Sequence, residues 1–180
     1  MIILGVDPGT AITGYGLIRA DADPIAMLAY GAITTPSDWE MPRRLSHIYR
    51  ELTALIAQHR PTDAVVEKLF FSKNVRTALS VGQARGVALL AAEQAHLAIH
   101  EYTPLEIKQA VVGYGRAEKQ QIQQMVKMLL QLDFVPQPDD AADALAVAIC
   151  HAHSARFEKL ARDQVQPPRH DDTKNTKINF

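Results

Sequence analysis

Three short apolar runs open the chain before any helical pattern appears, and this order restricts the fold more than any other feature of the sequence. Residues 1–7, 14–20 and 25–34 have the composition of strands, and the turn-like segment DADP separates the second run from the third. Three successive strands joined by short turns predict an antiparallel meander. Because the later strand candidates occur singly between helices, we expect the meander to be extended into a mixed sheet.

From residue 37 the apolar residues recur at the spacing of amphipathic helices. Two further strands, DAVVEK at 63–68 and LAIHEY at 97–102, interrupt the helical segments. The predicted order is βββαβαβααα, an α/β fold with a five-stranded mixed sheet and helices on both faces. The predicted helices span residues 37–59, 74–96, a short stretch from 104, a segment around 122–129, and 139–157.

Composition supports one globular domain with a polar C-terminal tail. The 180 residues are 47% hydrophobic, which is enough for a sizeable core, and we assign residues 1–157 to a single domain. From about Asp163 apolar side chains nearly vanish, so we expect the tail at 158–180 to be disordered. Cys150 is the single cysteine, which excludes an internal disulfide and favours a reducing cytoplasm. No segment has the pattern of a secretion signal or a membrane span, so no membrane association is expected.

Charge is distributed unevenly along the chain. The formal net charge of −1 is unusual for a nucleic-acid-binding protein, whose domain pI is often above about 9. Residues 68–85, however, contain four basic side chains and no acid. Such a stretch is either a solvated helix face or one side of a surface that attracts phosphates. In the same region Gly82 and Gly86 lie four residues apart on one helical face, which suggests close approach by the sheet or by a second subunit.

Acidic side chains stand at the ends of three predicted core elements. Asp7 ends the first strand, Glu67 ends the fourth, and Asp140 and Asp143 share one face at the start of the last helix. Singly, these residues could serve a turn or interact with a helix dipole. If the first and fourth strands are neighbours and the last helix crosses their edge, all four acids meet. We expect Asp139, the residue before this pair, to be the N-cap of the helix.

A cluster of four carboxylates forms only if a cation compensates their charge or some of them become protonated. Two like charges about 4 Å apart repel by roughly 4 kcal/mol at an effective dielectric constant near 20. Carboxylate oxygens are the ligands that Mg²⁺ and Mn²⁺ prefer. Two such ions about 3.5–4 Å apart form the apparatus of in-line phosphodiester displacement. The four acids therefore predict a metal-dependent phosphodiesterase site.

Five segments of the sequence resemble the bacterial RuvC family of Holliday-junction resolvases. They are GVDPGTAITGYG, VEKLFFSKN, GQARGVALLAA, EIKQAVVGYGRAEKQQIQ and DDAADALAVAICH, and the matches run in order from Met1 to Ser154. The resemblance implies an RNase H-like fold, a homodimer and cleavage of four-way DNA junctions during recombination and repair. It also implies two Mg²⁺ ions per subunit, replaceable by Mn²⁺, paired symmetric nicks leaving 5′-phosphate and 3′-hydroxyl ends, and coupling to the RuvA–RuvB branch-migration complex.

The resemblance also assigns roles to individual residues. The catalytic, metal-binding acids of the family fall on Asp7, Glu67, Asp140 and Asp143. A phenylalanine of the family that inserts at the junction point falls on Phe70, and an aromatic ring stacked on an unpaired base contributes about 1–3 kcal/mol. The residues expected to contact DNA are Phe70, Phe71, Lys73, Asn74, Arg76, Lys108 and Lys119.

Two other functional classes are compatible with parts of the sequence. The D-x-G-T segment after the first strand is similar to the phosphate loop of actin-like and sugar-kinase ATPases, but those need two such domains and give the D-A-A-D helix no role. A non-catalytic junction-binding scaffold would have no need of four acids. His151 and His153, near the far end of the last helix, are predicted to be packing or surface residues, and Cys150 to be a small buried one.

Overall fold

The computed structural model describes residues 1–21, 23–68 and 75–165, and its elements follow the predicted order βββαβαβααα. Among these residues, none of the helices combines the length and apolarity needed to cross a membrane. The strands are β1 (Ile2–Asp7), β2 (Ile12–Arg19), β3 (Ala26–Thr34), β4 (Asp63–Glu67) and β5 (Ala98–Tyr102), and the helices are α1 (Met41–His59), α2 (Val75–Gln94), α3 (Pro104–Val112), α4 (Lys119–Leu129) and α5 (Asp139–Val165).

The five strands form one mixed sheet in the order β3-β2-β1-β4-β5. β1, β2 and β3 are the predicted antiparallel meander, whereas β1–β4 and β4–β5 are parallel pairs. Val6 pairs with Val66 across the β1–β4 boundary. Since both strands run in the same direction, Asp7 and Glu67 leave the same edge of the sheet side by side, as predicted.

Alternate residues of the strands are buried on opposite faces of the sheet. Leu4 and Leu17 pack with α1 and α2, whereas Ile3, Ile18 and Val65 pack with α3, α4 and α5. The sheet is thus covered by helices on both faces, which confirms the predicted architecture. The two faces belong to two separate apolar clusters, and α5 forms the centre of the second one.

Glycines of the opening segment let α5 lie directly on the sheet. A Cβ at Gly5 would overlap the carbonyl oxygen of Ala144, and a Cβ at Gly14 would overlap the carbonyl oxygen of Asp140. The backbone of α5 therefore sits closer to β1 and β2 than any strand with side chains at these positions would permit. This close approach brings the first turn of α5 to the edge where β1 ends.

Two helix boundaries differ from the sequence prediction. α1 begins at Met41 and not at residue 37, with Pro42 in its first turn. α5 continues past Phe157, its predicted end, to Val165. Residues 158–162 are exposed, but they include good helix formers and an i,i+4 pair between Glu158 and Arg162 (3.4 Å), which favour continuation of the helix. The disorder predicted for residues 158–180 is therefore wrong for residues 158–165, which are helical, while residues 166–180 lie outside the described residues.

Candidate active site

The four predicted acids come from three elements that meet at one edge of the sheet. Asp7 is the last residue of β1 and pairs across the antiparallel ladder with Gly14. Gly14 in turn touches the backbone of Asp140, which lies beside the end of β1. Glu67 ends the neighbouring strand β4 and, with Asp143, lines the same cleft. The structure therefore brings together residues that are up to 136 positions apart in sequence.

The carboxylates at this edge disfavour one another's ionisation. Burial, together with Asp143, Glu67 and Asp140, raises the pKa of Asp7 from 3.8 to about 7. Burial and the charge of Asp143 also raise the pKa of Glu67. The pKa of Asp143 is raised chiefly by burial, although Lys119 opposes the shift. Asp7 thus carries the largest penalty for bearing a negative charge.

The carboxylate side chains are close but do not converge on one point. Among the described residues, no three of these four acids have oxygen atoms that all lie within 4.8 Å of one another. Rotations about side-chain bonds would be needed before three of them could contact one ion. Such rotations would move only the side chains, because the sheet and α5 fix the positions of the backbone.

Lys119 lies between two acids at the start of α5. Its ammonium group is 3.0 Å from Oδ2 of Asp143 and 3.3 Å from Oδ2 of Asp139. Burial opposes the charge on Lys119, but the hydrogen bonds to Asp143 and Asp139 outweigh it and raise the pKa of the amine. Lys119, predicted to contact DNA, therefore stands at the acid cluster itself.

Asp139 is not the N-cap that the sequence predicts. The carbonyl oxygen of Pro138 accepts the first helical hydrogen bonds, from the amides of Ala141 and Ala142, so Asp139 is already the first residue of α5. Its side chain instead accepts a hydrogen bond of 2.9 Å from Nε2 of Gln123 and pairs with Lys119. These two partners lower the pKa of Asp139. Asp139 therefore orients Lys119 and α4 next to the acids.

A cleft of about 220 Å³ lies beside the acids, between α3, α4 and α5. Glu67 and Asp143 line it together with Lys108 and Lys119, and its floor is apolar. The charge of Lys108 lowers the pKa of Glu67 and so partly offsets the effect of burial. Both predicted DNA-contacting lysines of the α3–α4 region thus face the acid cluster.

The remaining predicted DNA contacts cannot be located in the same way. Phe70, Phe71, Lys73 and Asn74 lie outside the described residues, and of Arg76 only the backbone, in the first turn of α2, is described. Arg85, the last cation of the basic stretch, forms an ion pair with Glu101 of β5. The charge of Arg85 is therefore neutralised within the fold.

A polar cluster that the sequence prediction missed lies at the opposite end of β4. Asp63, His100 and His151 come from β4, β5 and α5, and their ligating atoms all lie within 4.8 Å of one another. His151 is buried, as predicted for a packing residue, but it is also a member of this cluster. His153 is half-buried, with its Nδ1 at 3.0 Å from the carbonyl oxygen of Ala110, and is a packing residue as predicted. The register of β4 and β5 could have indicated the cluster, because Val65 pairs with His100 and so places it on the face of Asp63.

Comparison with known proteins agrees with this architecture. The family model "Crossover junction endodeoxyribonuclease RuvC" matches residues 3–151. The RuvC of Heliobacterium modesticaldum is 62% identical over 162 residues, which cover 90% of this chain and all of that protein, and the RuvC of Alkaliphilus oremlandii is 59% identical over 89% of this chain and 98% of that protein.

Solved structures show the same fold. Thermus thermophilus RuvC, 32% identical, superposes with a TM-score of 0.82 over 88% of this chain and 97% of that chain. The same enzyme in complex with a Holliday junction substrate gives a TM-score of 0.83 over 88% and 96%. The RNase H-like fold that the sequence predicts is therefore confirmed. The sheet order and the acids at one sheet edge agree with these similarities. The chain belongs to the RuvC family of crossover junction endodeoxyribonucleases.

Proposed function

We propose that the protein resolves four-way DNA junctions by metal-dependent hydrolysis of two phosphodiester bonds, with Asp7, Glu67, Asp140 and Asp143 as the ligands of two Mg²⁺ ions. The observation that carries this proposal is the meeting of β1, β4 and α5 at one sheet edge, each contributing a partly buried acid. A structural role alone would not favour such a cluster, because burial and mutual repulsion raise the pKa of Asp7 to about 7.

The chemistry of the residues fits hard divalent cations. All four groups are carboxylates, with no sulfur or imidazole among them, and this donor set suits Mg²⁺ and Mn²⁺. Divalent ions held there would lower the pKa of an attacking water and offset the charge that develops on the scissile phosphate. The raised pKa values of Asp7 and Glu67 support the fit, since bound cations would favour their ionised forms.

Two lysines complete the polar surroundings of the acids. Lys119, now paired with Asp143, is half-exposed and can turn its ammonium group toward a phosphate when DNA fills the cleft. Lys108 beside Glu67 presents a second positive charge to the same cleft. The two lysines of the α3–α4 region would position the DNA strand, and the carboxylates at the sheet edge would hold the metal ions.

Phe70, which we propose inserts at the junction point, follows the acid Glu67 along the chain. Phe70 is three residues after Glu67, so even a fully extended chain keeps it within roughly 11 Å of that acid. An aromatic ring at this distance can stack on a base at the junction point while the neighbouring phosphate occupies the cleft. We assign the further strand contacts to Phe71, Lys73, Asn74 and Arg76.

Paired nicks require two active sites, and α2 offers a surface for a second copy of the chain. Leu79 and Leu90 are 66% and 50% exposed, and a Cβ at Gly86, between them on the same stripe, would meet nothing within 4 Å. Gly86 therefore does not face the sheet, which supports the other alternative, approach by a second subunit. A hydrogen bond of 2.5 Å between Ser80 of α2 and Thr10 connects this surface to the loop after Asp7.

A nicking assay on a synthetic four-way junction tests the proposal. With Mg²⁺ or Mn²⁺ we expect symmetric cuts in two strands of like polarity, leaving 5′-phosphate and 3′-hydroxyl ends that ligase can seal. Plain duplex of the same sequence should remain intact, and EDTA should stop the reaction. Junction binding without any nick would instead identify a non-catalytic scaffold. Coupling to RuvA–RuvB, which family membership suggests, can be tested by adding that complex.

A further inference from the structure

A second cluster of metal-ligating side chains lies away from the acids of the active site. Asp63 begins β4, whereas Glu67 ends it, so the two positions are separated by roughly 13 Å along the strand. Asp63 is joined there by His100 of β5 and His151 of α5. None of the three belongs to the proposed nuclease machinery. Their chemistry also differs, because imidazole nitrogen favours Zn²⁺ and related transition metals over Mg²⁺.

The distances within this cluster are those of ligands that share an ion. Oδ1 of Asp63 is 3.3 Å from Nε2 of His100 and 3.4 Å from Nε2 of His151. Nε2 of His151 and Oδ1 of Asp63 form a long hydrogen bond, which a shared ion would replace. Two ligands of a tetrahedral Zn²⁺, each bound at about 2.0–2.2 Å, are separated by roughly 3.3–3.5 Å. Both measured separations fall in or next to that range.

Neighbouring groups hold two of the ligands in the orientation that binding requires. Nδ1 of His151 is 2.9 Å from the hydroxyl of Tyr102, so Nε2 can keep its lone pair toward Asp63. The hydroxyl of Thr62 donates to Oδ2 of Asp63, which leaves Oδ1 for the cluster. Partners of this kind are typical of the outer shell of metal sites.

Burial and accessibility also agree with a bound ion. The side chains of His151 and Asp63 are 5% and 13% exposed, whereas His100 is 38% exposed and leaves one side of the cluster open to solvent. The rings of His100 and His151 are stacked with centroids 4.0 Å apart, so the more exposed ring of His100 must turn before both Nε2 atoms can point at one ion. A metal ion needs both rings neutral, and it would enter from the side of His100.

We propose that Asp63, His100 and His151 form a transition-metal site, with a preference for Zn²⁺, in which three protein ligands and one solvent position complete a tetrahedron. The bound ion would link β4, β5 and α5 at the end of the sheet opposite the nuclease centre. Its effect is therefore on stability, because a ligand that binds the folded state alone raises the free energy of unfolding.

Titration of the full-length protein with Co²⁺ and Zn²⁺ in excess Mg²⁺ tests this assignment. We expect one Co²⁺ per chain with the visible absorption of a four-coordinate ion and no thiolate-to-cobalt band, displaced by one equivalent of Zn²⁺. Zn²⁺ should also raise the melting temperature. His100→Gln should abolish both effects, and Tyr102→Phe, which removes only an outer partner, should weaken Zn²⁺ binding by roughly 10–100-fold.

The matched control is His153→Gln, on the same helix but bonded to the carbonyl of Ala110. It should bind Co²⁺ and Zn²⁺ like the unaltered protein, and His100→Gln should keep full Mg²⁺-dependent cleavage. Absence of four-coordinate Co²⁺ in the unaltered protein would overturn the proposal. So would His100→Gln retaining the wild-type stoichiometry and affinity.

Discussion

Gly14 of β2 lies against the backbone carbonyl of Asp140 at the start of α5. Because Gly14 also pairs with Asp7 across the ladder, this one contact fixes the helix acids relative to the strand acid. The position has room for hydrogen but none for a methyl group. The geometry of the candidate active site thus depends on a residue that carries no functional group.

Replacement of Gly14 by alanine tests this dependence. The added methyl group must push α5 outward, and a displacement of about 1 Å at a reacting centre can cost roughly 100-fold in rate. We expect single-turnover junction cleavage by Gly14→Ala to fall by about that factor. Gly31→Ala is the control, since its Cβ would meet the side chain of Tyr15 and not α5. Cleavage by Gly14→Ala at the wild-type rate would contradict the role of this contact.

Asp7→Asn should abolish cleavage and stabilise the metal-free protein. The pKa of Asp7 is about 7 in the folded state against 3.8 in the unfolded state, so between these values the unfolded state loses its proton first and stability falls as pH rises. Asparagine removes this loss, which at pH 8 amounts to at most about 4 kcal/mol. Urea unfolding in EDTA measures the gain.

The gain from Asp7→Asn should shrink as the pH is lowered from 7 toward 4, because Asp7 then becomes protonated in the unfolded state as well as in the folded state. Asp38→Asn, at an exposed acid, serves as the control and should change stability little. Junction binding should survive in Asp7→Asn. A variant that is less stable than the unaltered protein at pH 8 in EDTA would show that Asp7 is not a strained acid.

Lys119→Gln should lower the affinity for the DNA strand that is cut. The loss of one phosphate contact is expected to reduce the slope of log affinity against log salt by about 1. Cleavage should fall further than binding, because Lys119 also neutralises Asp143. Lys159→Gln makes the same charge change on the exposed, distant part of α5 and should leave both quantities unaltered. An unchanged salt slope in Lys119→Gln would remove Lys119 from the DNA interface.

Phe70→Ala should impair cleavage without reducing stability. Stacking on an unpaired base is worth about 1–3 kcal/mol, so we expect a 10- to 100-fold loss of cleavage rate with an unaltered melting temperature. Phe157→Ala, which truncates a ring that is exposed on α5, is the matched control and should cut normally. A large fall in melting temperature with normal cleavage would make Phe70 a core residue.

If two copies pair through α2 as we propose, Leu90→Glu should give monomers. A charge at the centre of an apolar contact between copies of α2 would be buried without a partner. We expect sedimentation to give the mass of one chain and paired cuts to be lost. Leu160→Glu, at a similarly exposed leucine of α5, should remain dimeric. A dimeric Leu90→Glu protein would place the interface elsewhere.

Local patterns were sufficient to predict the sheet and the cluster of acids. The strand runs and the change to helical periodicity gave the element order, and acids at the ends of β1 and β4 became neighbours once those strands were paired. The N-cap of α5 was predicted wrongly because aspartate is a typical N-cap residue. In the structure the carbonyl oxygen of Pro138 accepts the first hydrogen bonds of the helix, so the helix begins one residue earlier than predicted. Tertiary partners, namely Gln123 and Lys119, decide what Asp139 does.

The cluster of Asp63, His100 and His151 illustrates what single-sequence patterns do not contain. Its members are separated by tens of residues and share no spacing motif. Only the register of β4 and β5, together with the close packing of α5, brings them within reach of one another. The far end of α5 was likewise not foreseen, because residues 158–162 are exposed and give no pattern of a buried helix face.

Anomalous scattering from Mn²⁺ in crystals of the protein with a four-way junction tests the central claim most directly. We expect two peaks at the edge of the sheet, within bonding distance of carboxylate oxygens from Asp7, Glu67, Asp140 and Asp143. Asp7→Asn crystals grown in the same way should lose at least one of them. Saturating Mn²⁺ without a peak between Asp7 and Asp143 would contradict the assignment of these acids as the metal centre.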